Sequence, residues 1–149
     1  MKKLLAIAAA AAAIVAMAGT AMAATANLSV TASIANACSV TGGTLAFGAL
    51  NTLTAPLVTA TSSGVSITCT KGDAYTVAID NGTHESGSQA FLKHATLADT
   101  IPYSVTVPTV SAGTGAAQPI TLTGEIAATT YATASAGNYS DTMVITVTP

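Results

Sequence analysis

Few side chains of this 149-residue chain have the types and spacing that catalysis or metal binding requires. His84-Glu85 and His94 lack the HExxH spacing that places two metal ligands on one face of a helix. Ser86-Gly87-Ser88 lacks the G-x-S-x-G pattern of a nucleophile elbow. The glycines of Gly113-Thr114-Gly115 have neither the lysine nor the following helix of a phosphate-binding loop. We therefore predict that the chain is not an enzyme, binds no metal or cofactor and has no small-molecule substrate.

Asp141 is the acidic residue with the most suggestive neighbour, because Tyr139 lies two positions before it. An acid pair is one interpretation of these two residues. An aspartate in a tight turn at the start of a strand, accepting hydrogen bonds from the backbone, is the other, and it is the common role of this residue type. We expect the second.

The first 23 residues have the pattern of a secretory signal. Lys2 and Lys3 form a positive start, an alanine-rich apolar run covers 4–18, and Ala21-Met22-Ala23 is an A-x-A cleavage site. Fifteen apolar residues suffice for a signal but are short for a bilayer span. We expect cleavage before Ala24 and export to the periplasm; an uncleaved anchor helix is the alternative.

Charge excludes another class of function. The chain has four Lys plus Arg and six Asp plus Glu, and only Lys71 and Lys93 remain once residues 1–23 are removed. A nucleic-acid-binding protein needs a basic face that neutralises phosphates. Two lysines cannot form such a face, so no nucleic-acid partner is expected.

The two cysteines, Cys38 and Cys69, agree with export. An even number of cysteines in an oxidising compartment predicts a disulfide. Their spacing excludes a CxxC redox motif. Closing a loop of about 30 residues would stabilise the fold by roughly 3–4 kcal/mol.

Alternating polar and apolar residues predict short β-strands along the chain after the signal. The stripes that face inward are Leu28/Val30/Ala32/Ile34, Val65/Ile67/Cys69, Tyr75/Val77/Ile79, the strand 101–107, Ile120/Leu122 with Gly124 and Ile126, and Met143/Ile145/Val147 within a strand over 139–148. Pro102 suggests an edge position or the start of a strand. About seven short strands predict an all-β, immunoglobulin-like β-sandwich.

The two ends of the exported chain raise a question of pairing. A strongly alternating strand comes last, and nothing follows it to cover its edge, while the segment after the signal is amphipathic in the same way. An unpaired apolar edge favours association with another strand. The first segment either folds back within its own subunit or pairs with the edge of a neighbour, and periodicity leaves both open.

The order of these motifs resembles the spore coat protein U family, and within it the major subunits of archaic chaperone–usher pili. The most specific stretch is 136–142, Ala-Gly-Asn-Tyr-Ser-Asp-Thr, which leads into Met-Val-Ile-Thr-Val. The other motifs are the alternating 28–34 stretch before Cys38, Leu45-Ala46-Phe47-Gly48, Val65 to Cys69, Ala74 to Gly82, Ile101-Pro102-Tyr103, and Pro119 to Ile126. The resemblance covers nearly all of residues 24–149.

The resemblance implies assembly by donor-strand exchange. A subunit of this kind is an incomplete sandwich that lacks its last strand, which a periplasmic chaperone supplies first and another copy supplies later, at an outer-membrane usher. It implies a donor strand over 24–35, a pilin domain over 36–149, and a fibre of copies at the cell surface. The implied donor residues are Leu28, Val30, Ala32 and Ile34, and the implied residues of the acceptor groove are Met143, Ile145 and Val147.

Three functions follow as hypotheses. The first is a structural pilus subunit that supports surface attachment and biofilm formation. The second is a secreted spore-coat or matrix protein whose first strand completes its own sandwich. The third is a ligand-binding module, which is weakened because the chain has only four tyrosines and two phenylalanines to stack on a sugar.

Overall fold

The computed structural model describes residues 22–110 and 112–149. The predicted signal over 1–23 therefore lies outside the described residues, apart from its last two positions. In the described part of the chain every regular element is a β-strand, and each strand ladder is antiparallel. The prediction of an all-β fold is confirmed.

The described residues of the body of the protein, Ile34–Pro149, form eleven strands in three sheets. The strands are β1 (Cys38–Thr41), β2 (Thr44–Leu45), β3 (Val58–Ser63), β4 (Ser66–Cys69), β5 (Thr76–Ile79), β6 (Ala90–His94), β7 (Thr100–Thr106), β8 (Gln118–Pro119), β9 (Thr123–Ile126), β10 (Tyr139–Ser140) and β11 (Ile145–Thr148). The order of the strands is β10-β6-β7-β9-β3-β2 in the first sheet, β1-β4-β8 in the second and β11-β5 in the third.

The smaller core cluster lies around β4 and is closed by the disulfide. Val65, Ile67 and Cys69 are buried, as their alternation predicts, and Tyr75 packs with the last two. Cys38 and Cys69 are direct partners in the β1–β4 ladder, and their sulfurs are bonded. The predicted disulfide is confirmed. We call Ile67, Cys69 and Tyr75, with the side chains packed on them, the closed cluster.

The larger core cluster lies on the six-stranded sheet. Its buried members include Ile101, Tyr103 and Ile126, and alternation predicts all three. Tyr131 is also buried, and its hydroxyl donates to the Pro56 carbonyl over 2.8 Å. Its segment is a turn without periodicity, so the sequence carries no signal for this core position.

Two features of the strand pattern differ from the prediction. Pro102 lies in β7, which is internal, so the edge interpretation is wrong. The alternative interpretation, a proline near the start of a strand, is correct, because β9 pairs with β7 only from Ser104 onward. The strands β3 and β6 carry weaker alternation and were not predicted.

The predicted last strand, 139–148, is divided between two sheets. β10 pairs with β6, and β11 pairs with β5. Between them the backbone bonds to the turn that follows β5: Thr83 N donates to the Thr142 carbonyl, and Val144 N donates to the Asp80 carboxylate. Because these bonds replace a continuous β-ladder, the prediction of one strand over 139–148 is wrong.

The segment that precedes the body belongs to a separate unit, Met1–Ser33. Among its described residues, 22–33, the structure contains no strand and every side chain is exposed. The strand that alternation predicts over 27–34 is therefore not formed within this chain. A strand needs a hydrogen-bonded neighbour, so alternation alone does not produce one.

Candidate functional site

An open groove runs between the six-stranded sheet and the β11–β5 pair. Its first cavity, of about 340 Å³, is lined from one side by Tyr103 and Val105 of β7 and from the other by Ile79 and Ile145. A second cavity, of about 700 Å³, continues past Phe47 toward the 134–141 segment. We call the two cavities together the groove.

Leu45 and Phe47 form the floor of the groove over β9. Gly124 makes this possible, because a Cβ at this position would lie 2.7 Å from Leu45 Cδ2 and 2.8 Å from Phe47 Cζ. The Phe47 ring also packs edge-on against Tyr103, with ring centroids 6.0 Å apart. The absence of a side chain at Gly124 therefore allows Leu45 and Phe47 to pack directly against the backbone of β9.

A buried carboxylate holds one wall of the groove in place. The Asp141 side chain is 1% exposed, and its Oδ2 accepts a hydrogen bond from the Tyr103 hydroxyl at 2.8 Å. Its Oδ1 accepts from Thr83 N at 3.0 Å, Thr83 Oγ1 at 2.8 Å and His84 N at 3.2 Å, and lies 3.0 Å from His84 Nδ1. Asp141 thus joins β7, the turn after β5 and the β10–β11 connection.

These hydrogen bonds determine the ionisation of both partners. Burial acts to raise the pKa of the Asp141 carboxyl, but the bonds from Tyr103, Thr83, Thr142 and His84 outweigh it, so the pKa lies below its ordinary value. Burial, and then the bond to Asp141, raise the pKa of the Tyr103 hydroxyl. Asp141 is therefore a charged acceptor and Tyr103 a permanent donor at neutral pH.

The expectation that Asp141 accepts backbone hydrogen bonds is confirmed, since its Oδ1 accepts from the backbone of Thr83 and His84. The expected tight turn at the start of a strand is wrong, because Asp141 lies in the connection between β10 and β11 and its partners belong to the turn that follows β5. The sequence carried no signal for these partners or for Tyr103, because they lie 57, 58 and 38 positions away.

The histidines lie at separate places and have structural partners. His94 is buried in β6; its Nδ1 accepts from Thr96 N and Leu97 N, and its Nε2 lies 3.2 Å from the Ala136 carbonyl. Across residues 22–110 and 112–149 there is no group of three or more His, Cys, Asp or Glu side chains able to hold a metal ion.

The predicted acceptor residues divide between two places. Met143 and Ile145 line the first cavity of the groove. Val147 packs instead against the closed cluster. The side chains that complete the groove, Leu45, Phe47, Leu92 and Val105, were not among the predicted residues, and only the Leu45–Gly48 motif marked two of them.

The side chains of the predicted donor residues are exposed in the part of the chain that the structure describes. Leu28 is 88% exposed, Val30 83% and Ile34 87%, and Ala32 is exposed with them. The described residues therefore include both an open groove, whose first cavity is lined mainly by apolar side chains, and a segment of alternating apolar side chains in contact with solvent.

A family model described as "Spore Coat Protein U domain" matches residues 24–146. Among solved structures, the chain is similar to one titled as the CsuC–CsuE chaperone–tip adhesion subunit pre-assembly complex from archaic chaperone-usher Csu pili of Acinetobacter baumannii. The identity is 21%, the TM-score is 0.48, and the match covers 76% of this chain and 40% of that chain. The chain thus spans less than half of the solved chain that it matches.

The comparison with curated proteins found no match. Among the residues that the structure describes, no helix is long and apolar enough to cross a membrane.

Proposed function

Because this chain belongs to the Spore Coat Protein U domain family, we propose that it is a structural pilus subunit that polymerises by donor-strand exchange. The observation that supports the proposal is that one chain has both an open groove, with a mainly apolar first cavity, and an exposed alternating segment. The segment 24–35 of one copy enters the groove of the next, so that 24–35 is the donor strand and 36–149 the pilin domain.

The proposed contact has the right physical character for a fibre. Burying Leu28, Val30 and Ile34 is worth about 1.5–3 kcal/mol each, or roughly 5–9 kcal/mol before the cost of ordering the segment. Backbone hydrogen bonds to the open sheet edge add affinity. Donor and groove are different surfaces of one subunit, so the contact repeats head to tail and produces an open fibre.

The proposed subunit reaches the cell surface through a chaperone and an usher. After export, a periplasmic chaperone holds the groove until an outer-membrane usher exchanges its strand for the donor segment of another copy. The assembled fibre is displayed on the cell surface, where it supports attachment and biofilm formation. The alternative is a coat or matrix protein in which the segment completes the groove of its own chain.

Deletion of residues 24–34 tests the assembly step. The shortened subunit keeps its groove and is still captured by a chaperone, but it cannot enter a neighbouring groove, so fibres are absent by electron microscopy. Fibres from the deleted chain would contradict the proposal. A full-length chain that stays monomeric at high concentration, with its own segment protected from proteolysis, would support the coat-protein alternative.

A pair of single substitutions tests which face of the segment is buried. Ile34→Asp places an unpaired charge in an apolar groove and abolishes assembly. Ser33→Asp is the matched control, since its side chain points to the opposite face of an extended segment, and it leaves fibres intact. Equal loss of fibres in both variants would contradict burial of the Leu28–Ile34 stripe.

A further inference from the structure

The Cys38–Cys69 disulfide has one sulfur that is accessible and one that is covered. Cys69 is 1% exposed, whereas Cys38, at the start of the edge strand β1, is partly exposed. Gly113 lies directly over Cys69, because a Cβ at this glycine would be 2.7 Å from Cys69 Cβ. Gly115 N also donates to the Cys69 carbonyl over 3.0 Å. A molecule that attacks this disulfide in the folded protein must therefore reach Cys38.

A buried carboxylate lies beside the accessible sulfur. Asp73 is 5% exposed, and its Oδ2 lies 3.9 Å from Cys38 Sγ. A disulfide sulfur has no hydrogen to donate, so the contact places a negative charge next to the sulfur. Among the residues that the structure describes, no lysine or histidine nitrogen lies within 4.0 Å of this carboxylate. Lys71, the cation of the same turn, is exposed to solvent.

The backbone holds Asp73 in this position from two sides. Asp73 N donates to the Thr70 carbonyl over 3.0 Å, which closes the turn after β4. The Asp73 carbonyl accepts from Gly113 N over 2.7 Å. The loop that covers Cys69 therefore also fixes the backbone that carries the carboxylate beside Cys38.

We infer that Asp73 slows reduction of this disulfide by anionic thiols. Reduction begins when a thiolate attacks Cys38 Sγ, forms a mixed disulfide with it and expels Cys69 as a thiolate, which takes a proton from water. A second thiolate attacks the external sulfur of the mixed disulfide and releases Cys38, so two thiols are oxidised to one disulfide while the protein disulfide is reduced.

The first of these steps brings a negative charge close to Asp73. Two like charges a few ångströms apart at a partly buried site repel each other, and salt screens such a pair only weakly. A thiol that carries a second negative charge is repelled more strongly, and one that carries a positive charge is repelled less. Asp73 therefore protects the disulfide according to the charge of the attacking thiol, whether or not the chain polymerises.

Reduction by two small thiols of opposite charge tests this role. The probes are mercaptoethanesulfonate, which is anionic, and cysteamine, which is cationic, and mass spectrometry follows loss of the disulfide in the purified full chain at low ionic strength. Asp73→Asn keeps the shape of the side chain and removes its charge. The sulfonate thiol is expected to reduce this variant about tenfold or more faster than wild type, and cysteamine to reduce it within about threefold of wild type. Glu125→Gln removes an exposed charge from β9 and is the matched control, with both rates within about twofold of wild type.

The charge of the thiol distinguishes electrostatic repulsion from a loosened fold. If Asp73→Asn only opened the fold more often, both thiols would reduce it faster to the same extent, and that result would overturn the inference, as would unchanged rates. If Asp73→Asn does not fold, wild type supplies the test. The ratio of the cysteamine rate to the sulfonate rate is then expected to be about tenfold larger in the folded protein than in urea, where Asp73 no longer lies beside Cys38. Equal ratios would contradict the role of the charge, and a first mixed disulfide on Cys69 would contradict attack at Cys38.

Discussion

The closed cluster and the groove use the same types of side chain but differ in how fully these are covered. In the closed cluster Ile67 is 0% exposed and Cys69 1%. In the groove Phe47, Met143 and Ile145 are only half-buried, and two cavities lie beside them. The types of side chain therefore do not distinguish a fully buried core from a partly covered one.

The difference comes from strand neighbours. β4, under the closed cluster, is paired on both sides, by β1 and β8. Among the described strands, β2 is an edge of the six-stranded sheet and has a ladder only with β3, and β11 has a ladder only with β5. A sheet edge beside a partly covered apolar face is a place where one more strand would bury additional area. The comparison predicts that the two regions respond differently to the same substitution.

Truncation of one isoleucine in each region gives the largest expected effect. Ile67→Ala lowers the free energy of unfolding of the monomer by about 4 kcal/mol, because a fully enclosed cavity remains. Ile145→Ala is the matched control and lowers it by about 1 kcal/mol, since the side chain is already half exposed. Chemical denaturation of each monomer, with the disulfide intact, measures both values.

Assembly is expected to enlarge the effect of Ile145→Ala but not that of Ile67→Ala. Ile145→Ala lowers the stability of the fibre by more than it lowers that of the monomer, because in the proposed assembly a donor strand completes the burial of this side chain. Ile67→Ala changes monomer and fibre by similar amounts. Equal effects of Ile145→Ala on monomer and fibre would contradict the idea that the groove is finished by another copy.

Asp141→Asn tests the carboxylate that holds the groove wall and gives an intermediate effect. The amide has one acceptor oxygen where the carboxylate has two, so the bonds from Tyr103 and Thr83 cannot all be kept. Hydrogen bonds to a charged group are worth about 1.5–3 kcal/mol each, and we expect a loss of about 2 kcal/mol in monomer stability at pH 7. Urea unfolding gives the value.

The same variant has a defined dependence on pH. Because the pKa of Asp141 is lowered in the folded state, its contribution is complete above the unfolded value of about 4 and is lost as the pH falls through the folded value. The difference between wild type and Asp141→Asn therefore shrinks as the pH is lowered below about 4. A difference that stays constant down to pH 2 would show that the carboxylate charge is not the source of the stability.

Sequence patterns predicted the closed cluster better than the groove, for a physical reason. Val65, Ile67 and Cys69 alternate strictly with polar residues, and each of the two cysteines has one possible partner in the sequence, so local patterning indicates their burial. The groove is formed by side chains from distant segments, such as Leu45 and Val105, that share no local pattern.

Local patterning also failed to predict features outside the regular strands, because these depend on contacts with residues far away in the sequence. Tyr131 lies in a segment rich in alanine and threonine, and its burial depends on the carbonyl of Pro56, 75 positions away. The division of 139–148 into two strands likewise depends on Asp80 and Thr83, which bond to its backbone from another part of the chain. Alternation indicates which side chains face inward, but not where the ladder changes partner.

Tyr103→Phe gives the smallest expected effect and separates the two roles of this residue at the groove. The variant keeps the ring that packs against Phe47 and removes only the hydroxyl that donates to Asp141. We expect a loss of about 1 kcal/mol at pH 7 and a rise in the pKa of Asp141, since a donor to its charged form is gone. NMR titration of the Asp141 carboxyl measures the shift. Because the floor of the groove keeps its shape, a synthetic peptide of residues 24–36 is expected to bind this variant within about threefold of its affinity for the wild-type chain. A much larger loss of binding would mean that the hydroxyl bond, and not the packed ring, determines the form of the groove.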